Sequence, residues 1–305
     1  MEKMLQEALN YGQQYTHLGH TAGYIPELQK VNPKDLGIYI KTLKGDCYSV
    51  GQDTQLFTIQ SISKVLVLTL ALMDNGFEKV FDTVGVEATG DPFNSIVKLE
   101  LKSLQKPLNP MINAGAIATT SLIRGKNGTE KIQRILDFAR LVAHNDTLGI
   151  NETVYQSEAQ TGDRNRSLAY FMKSTGIIKE DVEDVIDVYF KQCSIEMSCK
   201  DLAEIGTLYA NHGVCMRTGK QLIPKVICRK VMAIMTTCGL YDASGAFAVK
   251  VGIPAKSGVG GGILAVVPNK MGIGVYGPAL DDKGNSVGGV EMLSYLSEKL
   301  DLSIF

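Results

Sequence analysis

The stretch Gln60-Ser61-Ile62-Ser63-Lys64-Val65-Leu66-Val67-Leu68-Thr69-Leu70-Ala71-Leu72-Met73 carries two messages at once. Its second half is apolar on nearly every side, which marks a helix buried centrally rather than laid on a surface. Ser61 can cap that helix over Ile62 to Met73, and Asn75-Gly76 can close it. Its first half places Ser61 and Lys64 at the i, i+3 spacing that shares a helix face, so an ammonium lies beside a hydroxyl. A serine needs a nearby base to become a nucleophile, and a desolvated lysine with a lowered pKa can serve. A helix N-terminus adds backbone N–H groups and a positive dipole end that favour a developing oxyanion. Taken alone, the same spacing also describes a capping serine and a snorkelling lysine.

Away from this helix, the pattern changes character twice. Residues 1 to about 15 read as an amphipathic helix, and Leu36, Ile38 and Ile40 then alternate with other residues in strand fashion. Lys44-Gly45-Asp46 signals a turn, with Cys47 to Gly51 returning as the second arm of a hairpin. Helical patterns follow over Asn113–Ile123, Gly128–His144, Ser167–Thr175, Lys179–Gln192 and Met197–Asn211. From Asp242 the chain reads as β, with short runs at Phe247–Val251, Gly262–Val267 and Gly272–Tyr276, before an amphipathic helix over Gly289–Leu300. Strands at both ends with helices between make the fold α+β. The expected domains are a mixed α/β lobe from residues 1–64 and 206–305 and an all-helical lobe from 65–205, with the active site in the cleft between them.

Charge and composition exclude several classes of function. The 305 residues carry 31 Lys+Arg against 32 Asp+Glu, a net charge of −1, so no basic excess exists to neutralise nucleic-acid phosphates. Hydrophobic residues make up 45% of the chain, too many for disorder. The apolar run Val65–Met73 is far shorter than the ~20 residues that span a bilayer. The N-terminal MEKMLQEALNYGQQY lacks the continuous apolar region of a signal peptide. No membrane association and a cytoplasmic location are expected. Six cysteines without a CxxC pair read as free thiols, and four histidines without metal-ligand spacing predict no metal site. Gly272-Ile-Gly274-Val-Tyr-Gly277 fits GxGxxG literally, but it reads as a strand and Pro278 follows at once, so no helix opens on it to hold a dinucleotide.

Lys256-Ser257-Gly258 gives Ser61 and Lys64 a context. A Lys-Ser/Thr-Gly triplet on a strand accompanies Ser-x-x-Lys in serine β-lactamases and penicillin-binding proteins. Here the two motifs come in that order, at opposite ends of the chain. Further blocks are Gly23-Tyr24-Ile-Pro-Glu-Leu, Asn109-Pro-Met-Ile-Asn113-Ala-Gly-Ala-Ile, Ser157-Glu158-Ala-Gln-Thr-Gly-Asp-Arg-Asn165, Tyr189-Phe-Lys-Gln-Cys-Ser-Ile-Glu, Cys238-Gly-Leu-Tyr241-Asp and Pro254-Ala-Lys-Ser-Gly-Val259. In these blocks, which span nearly the whole chain, the sequence resembles the serine-dependent glutaminase family in its short bacterial form.

The resemblance implies a serine β-lactamase-like fold, in which an antiparallel sheet flanked by terminal helices meets an all-helical lobe. It implies hydrolysis of L-glutamine to L-glutamate and ammonia, with neither metal nor organic cofactor, in a homodimer or homotetramer. Carried over by motif, Ser61 is the nucleophile and Lys64 takes its proton, directly or through Tyr241. The backbone N–H groups of Ser61 and Val259 form the oxyanion hole. Glu158 meets the substrate α-ammonium, Tyr24, Asn113, Asn165 and Tyr189 serve its α-carboxylate, and Lys256 supports the site. The competing functions are a β-lactam-processing relative, an amidase for asparagine or another small γ-amide, and a non-catalytic glutamine-binding module.

Overall fold

The computed structural model describes residues 1–23, 25–90, 94–95 and 106–305. The hairpin read from the sequence is present as β1 (Gly37–Thr42) and β2 (Cys47–Gly51), with Gly45 at φ +95° in its turn, where a side chain would be strained. β1 also pairs with β7 (Met271–Tyr276), β7 with β6 (Gly262–Val267), and β6 with β5 (Ala255–Ser257). The result is one antiparallel sheet in the order β2-β1-β7-β6-β5, apart from which β3 (Phe57–Thr58) pairs with β4 (Glu196–Met197). The chain ends thus meet in one sheet although more than two hundred residues separate β2 from β5.

The alternation in β1 sorts the two faces of the sheet. Ile38 and Ile40 join Leu5 and Leu9 of α1 (Glu2–Gln13), Ile263, Ile273 and Val275 of the sheet, and Met292, Leu293 and Leu296 of α11 (Val287–Leu300) in one buried cluster. On the opposite face lies α8 (Cys199–Ala210), started by a capping box between Ser198 and Asp201. Lys41 points to this face, where its Nζ meets Glu204 of α8 at 2.6 Å. Gly272 and Gly274 of β7 permit the approach: a Cβ there would lie 2.1 Å from the Thr207 nitrogen or 2.0 Å from the Cys199 oxygen. The first two glycines of the GxGxxG look-alike are therefore seats for a helix backbone.

The apolar stretch after Ser61 forms α2 (Ser63–Thr83), with Val65 to Leu72 buried. α3 (Asn113–Ser121) and α4 (Gly128–Ala143) pack against it, and α7 (Val182–Cys193) packs on these two and on α5 (Glu152–Thr161) and α6 (Asp163–Ser174). Asn127, Asn151 and Asp181 cap α4, α5 and α7 through their side chains. α9 (Lys225–Cys238) lies against α2, and α10 (Ser244–Lys250) follows it.

Two local expectations are corrected. Ser61 is not an N-cap: it sits in a 3-10 turn, Gln60–Ile62, ahead of α2. Gly76, at φ +79°, breaks the helix where it was expected to close, and a second helical segment runs on to Thr83. Phe247–Val251 is not a strand but falls at the end of α10, where Phe247 and Val251 face the core and Val249 is 92% exposed. Apolar residues at every second position imitated a strand, although Phe247 and Val251 also stand at helical i, i+4 spacing. α5 and α9 were not anticipated. For α9 the signal was present, since Ile227, Val231, Ile234, Met235 and Cys238 are its buried face.

Candidate active site

Ser61 is brought to the N-terminus of α2 by a strained turn. Gln60, just before it, holds φ +47°, and its side chain donates to Thr58 Oγ1 at 3.3 Å. Ser61 is buried, and its side chain hydrogen-bonds with the Tyr241 hydroxyl. Tyr241 opens the 3-10 turn that follows α9, with φ +54°, and its hydroxyl also donates to the Ser257 carbonyl at 3.5 Å. Two non-glycine residues in the left-handed region thus flank the serine from two distant segments, the kind of stored strain that clusters at functional sites. Burial pushes the Tyr241 pKa up to about 12, against the lowering effect of its hydrogen bonds with Ser61 and Ser257.

Lys64 is 1% exposed. Its Nζ donates to Asn113 Oδ1 at 2.8 Å and to the Met111 carbonyl at 3.1 Å. Burial lowers its pKa to about 8, with Cys193 and Glu158 pulling the other way. Asn113 then passes a hydrogen bond on, from Nδ2 to Asn165 Oδ1 at 2.9 Å. Close packing makes this possible: a Cβ on Gly115 would lie 1.9 Å from the Asn109 carbonyl oxygen, so α3 starts hard against the loop before it.

Glu158 on α5 is buried, and its Oε2 has no hydrogen-bond partner among the described residues. Burial raises its pKa to about 8, while a hydrogen bond from Gln60 and the charge on Lys64 lower it. A buried carboxylate oxygen without a partner is costly unless a cation completes it. The opposite wall is the turn after β5. Gly258 and Gly260 let it press against the chain before Ser61: added Cβ atoms would lie 2.5 Å from Ile59 O and 2.2 Å from Thr58 O. Among the described residues, neither the Ser61 nor the Val259 backbone N–H donates to a backbone carbonyl. Behind the wall Lys256 is buried, donating to the carbonyls of Gly239 at 2.8 Å and Ser257 at 2.7 Å. Its Nζ stands 4.2 Å from the centroid of the Tyr241 ring.

Of the residues expected from the sequence, Ser61 pairs with Tyr241, Lys64 is joined through Asn113 to Asn165, and Tyr189 is buried on α7. Tyr24 lies outside the described residues. Two neighbours were missed. Gln60, inside a quoted block, holds Glu158. Cys193, also inside a quoted block, hydrogen-bonds with Tyr189 and Ser63 and feels both Glu158 and Lys64. No feature of a lone cysteine in the sequence indicates such a neighbourhood.

A serine hydroxyl bonded to a tyrosine, a buried lysine with a lowered pKa, two N–H groups without a backbone acceptor among the described residues and a carboxyl with one oxygen unpartnered there suit acyl transfer from a cationic substrate. Comparison with known proteins agrees. A family model for glutaminase matches residues 19–305. The chain belongs to the glutaminase family. It is 59% identical to the glutaminase of Clostridium tetani (strain Massachusetts / E88) over 305 residues, the whole of both chains. Against glutaminase 2 of Clostridium perfringens (strain 13 / Type A) the identity is 57%, again over both full lengths. The crystal structure of the Bacillus subtilis glutaminase YbgJ superposes with a TM-score of 0.89 at 38% identity, covering 98% of each chain. That protein is in covalent complex with 5-oxo-L-norleucine, formed by reaction with 6-diazo-5-oxo-L-norleucine. The chain has the α+β fold read from its strand pattern and the β-lactamase-like architecture that the family resemblance implied. Among its described residues no helix is long and apolar enough to cross a membrane, and no three His, Cys, Asp or Glu side chains cluster to hold a metal ion.

Proposed function

We propose that this chain hydrolyses the side-chain amide of L-glutamine through a glutamyl ester on Ser61. Lys64 in its neutral form takes the Ser61 proton, directly or through the Tyr241 hydroxyl, as the serine Oγ bonds to the amide carbon. The backbone N–H groups of Ser61 and Val259 hold the oxyanion. Tyr241, whose high pKa keeps it protonated, donates to the departing nitrogen as the C–N bond breaks, and ammonia leaves. Water then attacks the ester, the same groups move its proton, and glutamate is released.

Glu158 meets the α-ammonium, and Asn113, Asn165, Tyr189 and Tyr24 serve the α-carboxylate. Lys256 supports Tyr241 from behind. The observation that carries this reading is the buried Glu158 Oε2 without a partner, in a site that also holds Ser61, Tyr241 and Lys64. The same proposal takes the site to lie in the cleft between a mixed lobe, 1–64 and 206–305, and a helical lobe, 65–205. It places the enzyme in the cytoplasm as a homodimer or homotetramer, which sedimentation of the purified protein checks.

The test is ammonia release from L-glutamine and L-asparagine by wild type and Ser61→Ala, with 6-diazo-5-oxo-L-norleucine as a covalent probe. Glutamine-selective release that vanishes in the variant, with one adduct on Ser61, supports the mechanism. Release that survives Ser61→Ala sinks it. Preference for another amide makes the chain an amidase of that substrate. Binding of glutamine without release makes it a binding module.

A further inference from the structure

A second nucleophile is assembled at the other end of the sheet. β6 leaves the oxyanion turn at Gly262 and ends at Val267, roughly 15–20 Å away at strand rise. There Asn269 N–H donates to the Ala210 carbonyl at 3.0 Å, at the C-terminus of α8. The chain beyond α8 forms a tight loop closed by a bridge between Val214 and Gln221. Cys215 N–H donates to Lys220 O and Gly219 N–H to Cys215 O, both at 2.8 Å, and Gly219 takes φ +67°.

The sulfur of Cys215 is not alone. It lies 3.4 Å from Nε2 of His144, the left-handed C-cap of α4. The backbone N–H groups of Arg217 and Thr218 and the Thr218 hydroxyl also hydrogen-bond to it. Arg217 is ion-paired with Glu204 at 3.1 Å, and Glu204 in turn holds Lys41 at 2.6 Å. Two cations and one carboxylate therefore surround the pair. Burial pushes the Cys215 thiol up, but the Thr218 and Arg217 hydrogen bonds and the Arg217 charge outweigh it, so the thiol titrates below its ordinary value. Burial raises the other four buried cysteines, Cys193, Cys199, Cys228 and Cys238. Burial and then Arg217 hold the His144 pKa below its ordinary value, which favours the neutral imidazole.

We propose that Cys215 and His144 form a thiol-modification site that takes a low-molecular-weight disulfide. The Cys215 thiolate attacks one sulfur of the disulfide. A new S–S bond forms, the old one breaks, and the departing half leaves as a thiolate that recovers the proton through His144. The disulfide is the only oxidant needed. Cys215 itself is 1% exposed, but the cover is thin, since residues 217–221 are exposed. Lifting the loop tip breaks the Arg217–Glu204 pair and uncovers the sulfur.

The experiment uses glutathione disulfide on the native enzyme carrying Cys47→Ser, which removes the exposed thiol. Intact mass and peptide mapping at neutral pH read the adduct. A single mixed disulfide on Cys215 is expected, reversed by dithiothreitol and formed at least ten times faster than any adduct on Cys228. His144→Ala, checked for unaltered glutamine hydrolysis, is expected to slow it about tenfold or more. An adduct that forms no faster on Cys215 than on Cys228, or at the same rate in the variant, overturns the proposal. So does the absence of any adduct. None of these readouts depends on the Ser61 mechanism.

Discussion

Glu158 shows how one buried atom couples stability to activity. Its carboxyl is raised from 4.5 to about 8, so between those pH values the unfolded chain ionises while the folded one stays protonated. The contribution of Glu158 to the stability of the empty enzyme is therefore most favourable below 4.5 and falls as pH rises toward 8. At pH 7 the loss is on the order of 3 kcal/mol at 1.36 kcal/mol per pKa unit. Glu158→Gln removes that loss. Urea unfolding at pH 7 should show the variant more stable by about 2–3 kcal/mol, while its KM for glutamine rises steeply because no charge meets the ammonium. A variant less stable than wild type would show that the carboxylate is satisfied in the empty site. The pH profile follows from the same atoms. Lys64 and Glu158 both titrate near 8 and both act deprotonated, so log kcat/KM should rise with pH below about 8 with a slope above one. Tyr241, at about 12, should leave no mark on that limb. A flat profile from pH 6 to 9 would contradict both assignments.

The contact between α8 and β7 shows why a strand here is rich in glycine. Gly274→Ala puts a Cβ where the Cys199 carbonyl oxygen now sits 2.0 Å away, backbone against backbone, with no flexible side chain to yield. α8 must then lift from the sheet, straining Lys41–Glu204 and the buried seam between them. A loss of about 2–4 kcal/mol in denaturant stability is expected, comparable to overpacking a tight core. A change under 1 kcal/mol would mean that the helix slides without resistance. The helices themselves were largely legible from periodicity, and so was the β1–β2 hairpin. α10 was not, because Phe247, Val249 and Val251 alternate and only burial tells that Val249 faces solvent.

Across the whole molecule, the site is assembled from segments that the chain brings together late. Ser61 and Lys64 come from the start of α2, Glu158 from α5, Asn113 from α3, and Tyr241 and Val259 from the C-terminal part. In the proposed mechanism a substrate-sized adduct on Ser61 would touch all of them. Reaction with 6-diazo-5-oxo-L-norleucine should therefore raise the melting temperature by several degrees, and Glu158→Gln should lose most of that rise. Labelling that leaves the melting curve in place would mean that the adduct does not join these elements.

The sequence by itself determined the two motifs and the order of most of the elements. Ser61 and Lys64 share a turn because three residues of helix put them there, and strands at both ends around a helical middle follow from hydrophobic period. These properties are local, so neighbouring residues suffice to read them. The tertiary structure decided everything that depends on water and on distant partners. Glu158 is raised because α5 is packed into a dry place, and Cys193 matters because it borders Glu158, Lys64 and Tyr189. Gly272 and Gly274 are explained by a helix backbone and not by a nucleotide. Cys215 meets His144, 71 residues away in the chain, only because two helix ends converge. Desolvation and long-range contact are properties of the assembled molecule, and no window of sequence contains them.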